Sequence, residues 1–185
     1  ARPASEHPYL SAKGVDGSGC RVDGDVLLVP AFDTAGVLAG IERIGKDGAK
    51  KHLGAKSGAF FFCGAPDASK PLLLCEGMAT AKSVHVLSGL PSACAFGAAN
   101  MLKGAEALRG RCGEVVVCPD ADGSGAKAAK ECRAAGIRVL ETPRAASGGT
   151  DWNDIVRAQF EENVVPVVAA RRGARRFQNA YSRRP

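Results

Sequence analysis

No stretch of this sequence approaches the roughly 20 consecutive apolar residues of a membrane-spanning helix, and Ala1 to Glu6 lack the apolar core of a secretory signal. Aromatic residues are scarce, at 5%. No internal repeat or low-complexity segment precedes the carboxy-terminal tail, and collagen, coiled-coil and disordered compositions are excluded. The sequence also lacks any close pair of cysteines. Cys20, Cys63, Cys75, Cys94, Cys112, Cys118 and Cys132 stand at wide intervals and in odd number, which argues against a zinc knuckle, a redox pair or a secreted disulfide framework. They read as small buried hydrophobes. These absences predict a cytoplasmic protein with no membrane partner.

What is present is an ordinary globular composition over 185 residues, with 45% hydrophobic and 24% charged positions. A chain of this length suits one domain with a small appendage, and it buries roughly 70% of its unfolded surface without covalent staples. The formal net charge of +6 is unevenly spread. Arg171, Arg172, Arg175, Arg176, Arg183 and Arg184 all follow the last acid, Glu162; without them 19 basic residues balance 19 acids. The body is neutral and the tail basic. That tail, and a first residue other than Met, suggest a piece of a longer protein ending in a solvated linker or nucleic-acid-touching arm.

Between Asp25 and Phe62 short apolar runs alternate with turns: Val26 to Val29, Val37 to Ile44 and Ala59 to Phe62. Asp33-Thr34-Ala35-Gly36 predicts a hairpin between the first two. The connection before Ala59 is basic, with Arg43, Lys46, Lys50, Lys51, His52 and Lys56 within 14 residues. Solvated surface and a phosphate-facing arm are both open readings of it. Beyond Pro66 the period changes. Strand-like Leu72–Cys75, Ala93–Phe96, Glu114–Cys118 and Ile137–Glu141 alternate with helical 77–88, 98–109 and 123–135, which predicts right-handed crossovers and a parallel sheet with helices on both faces. Leu72-Leu73-Leu74 and Val115-Val116-Val117 suit strands buried on both sides.

Ligands bind at the carboxyl ends of strands in such sheets, so the residues that follow each strand carry the functional signal. Leu72–Cys75 runs into Glu76-Gly77, and Glu114–Cys118 runs through Pro119 into Asp120-Ala121-Asp122-Gly123. Asp151-Trp152-Asn153-Asp154 follows the last strand and its loop. A helix amino terminus beside each acid is expected to ease its ionisation. Asp120 and Asp122, two apart in an extended segment, can converge on one cation. Glu76, Asp120, Asp122, Asp151 and Asp154 on one edge would repel unless a cation screens them, and an oxygen-only set suits magnesium or manganese. The alternative is that Asp120 and Asp122 are turn residues and Asp151 a helix cap. Asp120 to Glu131 also mimics the spacing of a calcium-binding EF-hand loop, but the valine-rich run before it is strand chemistry. Lys82 and Lys127, near the first turns of two helices, are candidate phosphate contacts. Trp152 and His85 read as packing residues.

Glu76-Gly77 after one strand and Asp120-x-Asp122 after another resemble the Toprim domain of bacterial-type primases, topoisomerases and some nucleases. Glu76-Gly77-Met78-Ala79-Thr80-Ala81, Ala95-Phe96-Gly97-Ala98-Ala99-Asn100 and Thr150-Asp151-Trp152-Asn153-Asp154 are similar to the phage- and plasmid-type DNA primases. So are His7-Pro8-Tyr9-Leu10, Leu28-Val29-Pro30, Gly40-Ile41-Glu42-Arg43-Ile44 and Lys50-Lys51-His52-Leu53. The resemblance covers about residues 7 to 160. It implies an α/β fold with a Toprim-type, Rossmann-like parallel sheet flanked by helices over 66–162. A small basic β-rich subdomain over 1–65 precedes it, and the basic tail over 163–185 follows.

The implied activity is metal-dependent nucleotidyl transfer, making short RNA primers on single-stranded DNA from nucleoside triphosphates with Mg2+ or Mn2+. Glu76 would act on metal or proton at the reacting centre. Asp120 and Asp122 would hold magnesium, and Asp151 and Asp154 a second metal or the triphosphate. Arg43 and Lys51 would lie along template or nucleotide, and Lys46, Lys50 and Lys56 extend that basic surface. The chain shows no zinc-binding module and no helicase motif, so template selection and unwinding are expected in other domains or in a replicative helicase partner. A Toprim nuclease and a non-catalytic DNA-binding or docking module are the alternatives. A topoisomerase needs a nucleophilic tyrosine, and Tyr9 and Tyr181 lie far from the acids in sequence.

Overall fold

The alternation along 26–32 is that of a half-buried strand: Leu27, Val29 and Ala31 are fully buried while Leu28, Pro30 and Phe32 are partly exposed. This strand is the middle of an antiparallel sheet in the structure, a computed structural model that describes residues 1–143 and 149–162. Strands β1 (Arg2–Pro3), β2 (Arg21–Asp23), β3 (Val26–Phe32), β4 (Leu38–Ile44) and β5 (Lys50–Gly54) lie side by side in that order. Helix α1 (Pro8–Lys13) packs on the buried face through Tyr9 and Leu10. His7 caps its start and Gly14, left-handed, ends it. The predicted hairpin turn is present, with the Asp33 carboxylate accepting from the amides of Ala35 and Val37 at 2.8 and 2.9 Å.

The basic connection expected before Ala59 contains the edge strand β5, paired with β4 so that Arg43 opposes Lys51 and Glu42 opposes His52. Its lysines masked the strand because an edge carries charge that an inner strand excludes.

The chain then crosses to a second sheet. Phe32 and Phe60 exchange two backbone hydrogen bonds of 2.8 Å, and β6 (Phe61–Cys63) continues into that sheet. There follow β7 (Pro71–Cys75), α2 (Met78–Ser88), β8 (Ser92–Cys94), a 3-10 turn (Ala98–Asn100), α3 (Met101–Leu108), β9 (Glu114–Cys118), α4 (Gly123–Ala134), β10 (Arg138–Val139) and α5 (Trp152–Glu162). The strand order is β10-β9-β7-β8-β6. Four strands are parallel, as expected, but β6 runs antiparallel to β8, so the sheet is mixed. An edge strand that enters directly from the other sheet needs no crossover helix. Strand β6 falls within 1–65, yet its hydrogen bonds are to the second sheet.

Both faces of this sheet are covered. Leu72, Leu74, Val115 and Val117 face α3 and α4, while Leu73, Cys75, Val116 and Cys118 face α2 and Trp152 of α5. All seven cysteines are free and buried. No helix among the described residues is long and apolar enough to cross a membrane. The basic tail, 163–185, and part of the loop before Asp151 lie outside the described residues.

Candidate active site

Strand β7 lies between β8 and β9, and the chain leaves it in opposite directions: through α2 to β8, then back through α3 to β9. The crevice outside the carboxyl ends of β7 and β9 is therefore the topological switch point, where open α/β sheets bind ligands. Cys75 and Cys118 are register partners, so Glu76 and Pro119-Asp120 leave the sheet side by side. The amide of Asp120 donates to Glu76 Oε1 at 3.1 Å. The amide of Ala98, opening the 3-10 turn after β8, faces the Glu76 carboxylate and lowers its affinity for protons.

Ionisation here is harder than a neighbouring helix start suggests. Burial pushes the Glu76 carboxyl above its usual range; the two amides oppose this, and the charges of Asp122 and Asp151 add to it. Asp120 is displaced furthest. Burial, then repulsion from Glu76, Asp151 and Asp122, lifts it to about 7 against a partial counterweight from Lys13. Its Oδ1 is buried without a hydrogen-bond partner. Asp122 goes the other way: its Oδ1 accepts from the Gly125 amide and the Ser124 hydroxyl, both at 2.8 Å, which hold it below the ordinary Asp value. Asp122 thus caps α4 and is exposed. Gly125 has a steric reason to be glycine, because a Cβ there would run into the carbonyl oxygen of Asp120.

Asp151 starts α5 by accepting the Asp154 amide at 2.8 Å, and the Asp154 carboxylate accepts the Thr150 amide at 3.1 Å. Both acids converge on Lys13 at the end of α1, whose Nζ is 3.6 Å from Asp151 and 3.7 Å from Asp154. Sequence reasoning missed Lys13, whose one local signal was a basic residue preceding the glycine that ends a short helix. Asn153 fastens the arrangement, its Nδ2 lying 2.8 Å from the Lys13 carbonyl and 2.9 Å from Ser83 Oγ.

The candidate basic residues are dispersed. Arg43 and Lys51 are exposed cross-strand partners on the open face of the antiparallel sheet. Alternation puts Lys50 and His52 on the other face, where Lys50 lies 5.4 Å from the ring centre of Tyr9 and His52 meets Phe96 edge-on at 5.1 Å. Lys56 Nζ reaches the turn after β8, 3.8 Å from where a Cβ on Gly97 would stand. Lys46 pairs with Asp25 at 2.8 Å, and Lys127 is exposed, 4.0 Å from Glu131. Lys82, expected near phosphate, is buried instead; Nζ contacts Asp16 Oδ1, the Ser18 carbonyl and Ser18 Oγ, each at 2.9 Å. It is spent on joining α2 to the loop before β2.

Among the described residues no three acids, histidines or cysteines stand close enough to ligate one ion as they are. The chemistry of Glu76 and Asp120 nevertheless fits a hard divalent cation. The donors are all oxygens, one is a buried carboxylate oxygen without a partner, and their neighbours raise the cost of leaving that charge unscreened.

Comparison with known proteins agrees with this geometry. The family described as "Toprim domain" matches residues 71–162. The DNA primase TraC of Escherichia coli is 34% identical over 112 residues, which make up 56% of this chain and 8% of that protein. The chain thus spans a small part of that relative. The primase fragment of the bacteriophage T7 primase-helicase superposes with a TM-score of 0.66 at 20% identity, covering 86% of this chain and 72% of the other. A DnaG primase catalytic domain bound to single-stranded DNA superposes at 0.55 and 17% identity, covering 75% and 51%. The RNA polymerase domain of Mycobacterium tuberculosis DnaG gives 0.53 at 19% identity, covering 96% and 70%.

Proposed function

We propose, on the premise that residues 71–162 match the Toprim domain family, that this chain is the catalytic core of a DNA primase. It would make short RNA primers on single-stranded DNA from nucleoside triphosphates. The observation that carries the reading is the pairing of Glu76 with Asp120 at the switch point, one carboxyl accepting the other's amide while an Asp120 oxygen is left buried and unpartnered.

The reaction is attack of a 3′-hydroxyl on the α-phosphate of an incoming nucleoside triphosphate, with pyrophosphate leaving. Glu76 and Asp120, with Asp122 at the exposed side, would hold magnesium or manganese, which would supply charge neutralisation at the phosphates and acidify the hydroxyl. Glu76, its affinity for protons raised by burial, receives the proton of that hydroxyl. Asp151 and Asp154 hold a second ion or, through Lys13, the triphosphate: Lys13 can exchange its two carboxylates for phosphate oxygens. Arg43 and Lys51, together on the open face, follow the template backbone, while Lys50 and Lys56 offer their charges on the other side of the strand. Template choice and coupling to a replicative helicase belong to other parts of a longer protein.

Primer synthesis on single-stranded DNA with Mg2+ and labelled nucleotides tests the reading. Products should lengthen with time, and Asp120→Ala with Asp122→Ala should lower the rate by at least about a hundredfold. Unchanged synthesis in the double variant refutes the assignment; shortening of the DNA itself indicates a nuclease.

A further inference from the structure

Directly after β8 the backbone enters a conformation that L-residues avoid. Phe96 has φ of +59°, the one non-glycine residue with positive φ among the described residues, and Gly97 follows at +134°. Such a conformation strains an aromatic residue and persists only where its surroundings over-determine it. Three contacts do so here. The Phe96 amide donates to Cys94 Sγ at 3.2 Å from below. Above it the His52 ring stands edge-on, 5.1 Å between centres at 66°. Beyond it Asn100 Nδ2 donates to the Ala95 carbonyl at 3.0 Å.

The turn leads to Glu76 twice over. Cys94 Sγ, while accepting from Phe96, is 3.3 Å from the Glu76 carbonyl, to which its S–H donates. Two residues past Phe96, the Ala98 amide faces the Glu76 carboxylate and lowers its affinity for protons. One strained turn thus grips the main chain of Glu76 through a thiol and sets an amide toward its side chain. The contact with His52 comes from the other sheet. His52 lies on β5, and its Nε2–H donates to the Ala55 carbonyl at 2.9 Å, which holds the ring against Phe96. Cys94 is fully buried, so its thiol is not a reagent.

We infer that the Phe96–Gly97 turn is a bracket for Glu76, with Cys94 and His52 as positioning residues. Through His52 the antiparallel sheet sets the placement of an acid on the other sheet. This rests on the primase reading for its consequence in turnover, but not for the bracket itself.

Amide hydrogen exchange separates the two. In Cys94→Ala the amides of Phe96 and Ala98 should exchange about tenfold faster while those of Val116 and Leu73 keep their protection. Primer synthesis should show kcat about tenfold lower with KM for nucleoside triphosphate within about twofold, since a misplaced acid costs turnover more than binding. Cys94→Ser, which restores a donor and an acceptor, should recover both. His52→Phe, keeping the ring without its bond to Ala55, should recover most of the parent's protection and turnover, and His52→Gln, keeping a polar group without the ring, should behave as Cys94→Ala. The inference is overturned if Ala98 exchange stays within about twofold of the parent in Cys94→Ala and His52→Gln, or if serine and phenylalanine rescue nothing. Should Cys94→Ala fail to fold, the His52 pair decides alone. If the parent makes no primers yet the exchange pattern appears, the bracket stands and the primase reading falls.

Discussion

Asp120 is the residue most at odds with its surroundings, because burial and three neighbouring carboxylates resist its charge. The unfolded chain gives up this proton near 3.8, whereas the folded chain holds it to about 7. The folded state therefore binds more protons across that window. Stability should fall as pH rises from about 4 to about 7 and level off above. Asp120→Asn removes the decline, so thermal unfolding at pH 8 should show the variant melting a few degrees (~4) above the parent while primer synthesis is lost. Millimolar Mn2+ at pH 8 should raise the midpoint of the parent and leave Asp120→Asn where it is. Gly125 constrains the backbone of the same residue sterically. With a methyl group there, α4 must withdraw from the Asp120 carbonyl. Gly125→Ala should lower primer synthesis by about a hundredfold, as expected when a reacting group is displaced by about 1 Å.

At the scale of elements, the two-residue period of a strand decides which cations act together. On β4 and β5 it places Arg43 and Lys51 on the open face and Lys50 and His52 on the covered one, a division invisible while the segment reads as a basic connection. Substituting Arg43 and Lys51 together by alanine should weaken single-stranded DNA binding. It should also flatten the slope of log affinity against log salt by about 1.4, the contribution of two phosphate contacts. Strand β7 shows the complementary case. Leu74, fully buried, packs beneath Gly104 of α3, where a Cβ would come within 3.4 Å of it. Leu74→Ala should cost roughly 3 kcal/mol in urea unfolding, because helix and strand cannot close the cavity. That strand was legible in sequence since three consecutive leucines have no other use in a sheet covered on both faces; β5 was not, since an edge strand tolerates lysine.

In the whole molecule, two sheets of different topology are joined by a few contacts between distant segments. Phe32 and Phe60 stitch their backbones, Asn153 of α5 holds the end of α1, and Lys82 of α2 ties down Asp16 and Ser18. The Ser18 hydroxyl, and then Lys82, hold the Asp16 carboxyl down at about 2. A lowered acid adds stability that is present above the unfolded value near 4 and lost as pH falls toward 2. Lys82→Met should therefore lower the unfolding midpoint by a few degrees at neutral pH and make the acid limb of the stability profile shallower. These joints are also where sequence reasoning missed most: Lys82 was expected to face phosphate, and Lys13 was overlooked.

Local pattern determined a good deal by itself. Runs of leucine and valine ending in acids marked β7 and β9, helical stretches between them required crossovers, and the residues after each strand were bound to lie on one edge. Each conclusion follows from neighbours along the chain, whose geometry the backbone period dictates. Which strand lies beside which, and hence that Glu76 meets Asp120, that Lys13 reaches Asp151, and that His52 presses on Phe96, only the tertiary structure decided. Such contacts join residues far apart in sequence, and they are selected by competition among burial, pairing and charge over the entire chain, which leaves no local signature.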